Sequence, residues 1–102
     1  MERAVIAELQ REVASLIRKR RARLKKLDLA VPVVKPEKRR NRAIEDYNKL
    51  IEEMGQGDVM YDISQNQSPK SAPTRELLME KRHHLGKWIK KIDEMITSLQ
   101  DA

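Results

Sequence analysis

The residues most able to do chemistry in this chain are its cations. Twelve Lys and Arg fall between Arg18 and Arg42 against only Asp28 and Glu37, a local net charge of +10. The rest of the chain carries ten basic and fourteen acidic residues, a net of −4. The cations form two runs, Arg18-Lys19-Arg20-Arg21-Ala22-Arg23-Leu24-Lys25-Lys26 and Lys38-Arg39-Arg40-Asn41-Arg42. If both runs sit at one end of a helical hairpin, that tip repels itself by roughly 0.4 kcal/mol per pair about 10 Å apart in water. An anionic partner reverses the sign of that term, and nucleic-acid phosphate is the commonest such partner for clustered Arg and Lys. The candidate anion-binding residues are therefore Arg18, Lys19, Arg21, Arg23, Lys25, Lys26, Lys38, Arg39, Arg40 and Arg42. The competing reading is a solvated helix face whose charge serves solubility alone. Seven Arg to five Lys across 18–42 is too even a mixture to mark bidentate phosphate recognition. No aromatics are interleaved with the cations, and no helix-turn-helix or zinc-finger spacing is present, so base-specific readout is not expected. The first run also matches a nuclear-import pattern, as many Lys/Arg-rich helices do.

Other chemistry is thinly represented. His83 and His84 are adjacent, and neighbours on a helix point about 100° apart, unlike the i,i+4 spacing that two metal ligands on one helix require. The pairs Glu45/Asp46, Glu52/Glu53 and Asp93/Glu94 are sequence neighbours that surface solvation explains more simply than acid–base catalysis. With no Cys, thiolate metal sites, disulfides and cysteine nucleophiles are excluded. Phosphate-loop, serine-hydrolase and zinc-protease motifs are absent. The expectation is a non-enzymatic protein with no catalytic residues, no metal and no cofactor.

Helices are the elements that must position these side chains. A 102-residue chain makes one small domain with a modest core. Having no Phe, only two Tyr and one Trp, it must build that core from Leu, Ile, Val and Met. Residues 2–29 carry an apolar stripe of Ile6, Leu9, Val13, Leu16/Ile17, Leu24 and Leu27, widened by Ala4, Ala7, Ala14 and Ala22. Arg20 interrupts that stripe; of two readings, pairing across an interface or laying its stem along the core while its head reaches water, the second is expected. Val31-Pro32-Val33-Val34-Lys35-Pro36 reads as an extended connector. A second helix is expected over about 36–54, stopped by Gly55. In the hairpin so formed, Ile44–Met54 lies beside Ile6–Ile17. Residues 55–73 read as a mobile loop in which Val59, Met60, Tyr61 and Ile63 are expected to tuck onto the helices, the alternative being a docking segment for a partner. The third helix, about 74–100, repeats Leu78, Leu85, Ile92 and Leu99 every seven residues, with Trp88/Ile89 and Met95/Ile96 at the half-steps. Such a seam packs against another long helix, in this chain or in a second copy. Leu78, Leu85, Trp88, Ile89, Ile92, Ile96 and Leu99 are thus the core or oligomer seam. Gly86 weakens this helix locally by about 1 kcal/mol and is expected to leave it unbroken.

These elements define an all-α protein: a coiled-coil-like helical hairpin plus a long C-terminal helix in one domain spanning 1–102, and self-associating. No apolar run is long enough to span a membrane and no secretory leader is evident, so an intracellular location, cytoplasmic or nuclear, is expected. The expected function is a helical interaction module that presents a basic tip to nucleic acid. A protein-only adaptor meeting an acidic protein surface is the alternative within that class. From another class, the Arg-rich first helix and the VPVVKPEK entry to the second resemble the small all-helical chorismate mutases over about 35 residues. That resemblance implies an intertwined dimer whose buried Arg and Lys clamp a dicarboxylate, with Arg20 as the candidate clamp. The chain departs from that pattern in lacking the Arg-Glu pair early in helix two, and its expected loop before helix three is longer.

Overall fold

The computed structural model describes residues 2–66 and 74–100. They form three long α-helices: α1 (Glu2–Ala30), α2 (Glu37–Asn66) and α3 (Arg75–Gln100). No strand occurs among the described residues, so the all-α expectation holds. The body is a rod with principal extents of 54 × 22 × 15 Å.

Cross-helix ion pairs fix the directions. Arg82 reaches Glu12 and Arg23 reaches Asp93, both offset by 70 residues, so α1 and α3 run parallel and in constant register. Along α2 the order reverses: Glu53 pairs with Lys91 while the later Asp58 pairs with Lys81. The order is up–down–up, with α3 packed chiefly along α1 and more lightly along α2. Leu27, Leu78, Leu85 and Ile92 are fully buried at the centre, joined by Leu9, Val13, Leu50, Met54 and Trp88. Each fully buried aliphatic contributes about 1.5–3 kcal/mol by leaving water. The heptad residues of α3 largely build this core: Leu78, Leu85, Trp88 and Ile92 belong to it, Ile96 and Leu99 pack half-buried against it, and Ile89 is buried outside that cluster.

Three departures from the sequence expectation have physical reasons. First, Val31–Val33 closes a 3₁₀ turn, with the Val34 N–H donating to the Val31 carbonyl at 3.3 Å. Val31 and Val34 turn inward there, so burying two valines wins over the extended path that the prolines favour. Second, α2 does not stop at Gly55 but continues to Asn66; residues 67–73 of the expected loop lie outside the described residues. Two glycines cost this helix about 1 kcal/mol each. Packing of Gly57 and Tyr61 on α3 and the ion pairs of Asp58 offset that cost, because tertiary contacts rather than propensity hold helices together. The apolar patch splits: Tyr61 is half-buried, but Val59, Met60 and Ile63 face solvent. Third, the hairpin register is different. Tyr47 donates to Asp28 and Arg20 pairs with Asp58, so 47–58 of α2 lies along the second half of α1, and Ile44–Met54 does not lie beside Ile6–Ile17. Glu12, within that first half of α1, is held by Arg82 of α3.

At the start of α3 the Thr74 hydroxyl accepts from the Leu77 N–H at 3.2 Å, a side-chain cap three residues in. Gly86 is exposed inside an unbroken α3, as expected.

Candidate functional site

The basic run of α1 is divided by the helix itself. At about 100° per residue, the buried side chains of α1 (Leu9, Val13 and Leu27) fix an inward direction. Arg18, Lys19, Arg21, Lys25 and Lys26 fall on an arc of roughly 160° centred opposite to it. All five are exposed, and among the described residues none forms an ion pair. Arg23 lies off this arc: its Nε sits 3.3 Å from Asp93 Oδ1, close enough to pair but not aligned for a hydrogen bond.

The second run is divided likewise. Lys38 and Arg42 are exposed, whereas Arg39 and Arg40 are half-buried. The Arg39 guanidinium donates to the Ser98 carbonyl at 2.7 Å, where a cation satisfies an orphan acceptor at the C-terminal end of α3. Seven of the ten sequence candidates therefore present open cations: Arg18, Lys19, Arg21, Lys25, Lys26, Lys38 and Arg42. Arg23 and Arg39 are engaged within the fold, and Arg40 is partly covered.

A second constellation lies on the opposite face of the same stretch of α1. Arg20 does not send its head to water. Its side chain is only 13% exposed, and its two terminal nitrogens donate to Asp58 Oδ1 and Oδ2 at 3.2 and 3.0 Å. Lys81, 5% exposed, donates to Asp58 Oδ1 as well. The Asp58 carboxylate is thus shared by two cations from two other helices. Burial works to raise its pKa, but hydrogen bonds from Lys81 and Arg20, together with their charges, prevail and hold it below the ordinary carboxylate value. Aromatic faces complete the surroundings of the cations. The Arg20 guanidinium carbon lies 5.3 Å from the Trp88 ring centre, and the Lys81 ammonium lies 5.4 Å from Trp88 and 4.9 Å from Tyr61. All three distances suit cation–π attraction.

Gly57 makes this arrangement possible. A Cβ there would fall 2.6 and 2.7 Å from the Trp88 indole, so only glycine lets the ring approach α2 this closely. The indole also stacks with His84 at 5.7 Å between ring centres. Beside these groups a half-enclosed cavity of about 420 Å³ opens between the last turns of α2 and the first turns of α3. Lys81, Tyr61 and Trp88 line it.

Sequence reasoning missed Asp58, Tyr61 and Lys81 as a site. The one available signal was Arg20 on an apolar stripe, which asks for a buried acid somewhere in the chain. Among the described residues no cluster of three His, Cys, Asp or Glu is placed to hold a metal. No family model matches this chain, and neither the curated proteins nor the solved structures contain a match.

Proposed function

We propose that this protein binds the phosphate backbone of nucleic acid through the outward arc of α1, assisted by Lys38 and Arg42 at the start of α2. The observation that carries this reading is the five exposed cations, Arg18, Lys19, Arg21, Lys25 and Lys26, on one arc without a carboxylate partner. A face of that kind suits a regular array of phosphates, and its affinity comes from counterion release rather than from base contacts. Self-association is part of the proposal. With the heptad seam covered inside the chain, the surface available to a second copy is the exposed apolar row of α2, Ile44, Ile51, Val59 and Ile63.

The test is a salt titration of binding to a short duplex and to a single strand. Neutralising about five phosphates gives a slope of log K against log salt near −4.5 on duplex. Replacing Lys19, Arg21, Lys25 and Lys26 with Glu abolishes that binding and leaves helicity unchanged. No binding to either strand form at low salt overturns the reading and favours the adaptor whose partner is an acidic protein surface. The enzyme alternative draws less support, since the terminal guanidinium nitrogens of Arg20, its candidate clamp, are already held by Asp58.

A further inference from the structure

The cavity between α2 and α3 opens beside a cluster of charges, reached through Lys81, that does not balance within itself. Arg20 and Lys81 bring two positive charges to the one carboxylate of Asp58, leaving an excess of one. Two carboxylates line the cavity itself: Glu53, paired with Lys91 at 3.2 Å, and the solvent-exposed Glu80, whose Oε1 lies 3.7 Å from His84 Nε2. The ammonium of Lys81 has three N–H donors and, among the described residues, one polar acceptor, Asp58 Oδ1. Its other neighbours are the faces of Tyr61 and Trp88, which attract a cation but accept no conventional hydrogen bond. A nearly buried ammonium with spare donors beside an open cavity is an incomplete anion site. Trp88, Tyr61, Met60 and Leu77 give the wall its apolar part, and Gln56, Ser64 and His84 add neutral polar groups.

From these observations we infer that the cavity binds a small organic monocarboxylate with a planar apolar body. The carboxylate takes the free donors of Lys81 and cancels the surplus charge, while the planar body lies against Trp88 and Tyr61. A volume of about 420 Å³ falls in the range of sites for small metabolites, which bury most of their surface in a largely apolar pocket with few polar anchors. Asp58 and Arg20 act as positioning residues: they hold the lysine head in place and do not touch the ligand. This site is separate from the basic arc, and it stands or falls independently of nucleic-acid binding.

Calorimetric titration of the whole chain with benzoate, and with benzamide as its uncharged counterpart, tests the inference. Benzoate is expected to bind saturably with a dissociation constant below about 1 mM, and benzamide about 10- to 100-fold more weakly, the worth of a charge-assisted hydrogen bond. Trp88 is the sole tryptophan, so its fluorescence reports the same titration from the cavity wall. Lys81→Met should abolish benzoate binding. Ser64→Phe, which fills the cavity from its exposed rim without touching the charges, should do the same in a protein whose fold is undisturbed. Equal binding of benzoate and benzamide overturns the inference, as does unchanged benzoate binding in Ser64→Phe. So does the absence of saturable benzoate binding up to about 10 mM.

Discussion

One stretch of α1 supplies both an inner and an outer charged face, and the two obey different rules. On the inner face Arg20 is packed against Trp88 and held by Asp58 together with Lys81. On the outer face Arg18, Lys19, Arg21, Lys25 and Lys26 stand in water without partners. Charges removed from water must be paired or the fold does not tolerate them, whereas charges left in water cost little and need no partner. Identical residue types two positions apart thus serve as fold determinants on one side and stand as open, solvated cations on the other. Helical phase, not composition, decides which.

The sharpest way to break this contrast is to remove the shared acid. Asp58→Asn strips both buried cations of their counter-charge, and a loss of about 2–4 kcal/mol is expected by denaturant unfolding. The same group sets an acid limit. Because its folded pKa lies below its unfolded value, Asp58 contributes stability that is complete above the ordinary carboxylate pKa and is lost as pH falls through the depressed one. The Asp58→Asn variant should therefore show a shallower loss of stability below about pH 4 than the parent. Next in size is Gly57→Ala, which forces the Trp88 indole away from α2 and should cost about 1–3 kcal/mol despite the better helix propensity of alanine. A stabilising Gly57→Ala would show that the close approach is dispensable.

The outer face predicts the reverse behaviour. Arg21→Ala and Lys25→Ala should each change stability by no more than about 0.5 kcal/mol, while each flattens the salt slope of nucleic-acid binding by about 0.9. A separate effect lies near the turn between α1 and α2. Tyr47 donates its hydroxyl to Asp28, and that bond, with burial and the nearby charge, pushes the phenol up to about 12. The stability gained there is complete below pH 10 or so and is lost as pH rises towards the folded value. Tyr47→Phe should lower stability by about 0.5–1.5 kcal/mol at neutral pH and flatten the alkaline limb of the stability profile.

How much of this could be read in advance follows from the same division. Periodic burial is a local signal. The apolar stripe of the first helix and the heptads of the third were legible, and both helices lie within a residue of their expected bounds. The outward cations were legible as well, since five of the seven lie on the face opposite Leu9, Val13 and Leu27. The continuation of α2 through Gly55 and Gly57 was not. Glycine there reads as a stop in one dimension, and only the indole of Trp88, thirty-one positions further on, explains Gly57 as a point of close approach. The acid that holds Arg20 was hidden for the same reason. Asp58 sits in a stretch rich in loop-forming residues, and its two partners come from helices far away in sequence.

The parallel packing of the first and last helices, offset by 70 residues, has a consequence for biosynthesis. At ribosomal speeds of about 5–20 residues per second, the opening helix waits roughly 4–14 s for the segment that covers it. During that interval its leucines and valines are open to chaperones or to neighbouring nascent chains. Compaction then waits on synthesis of α3, so a variant without α3 should fail to compact.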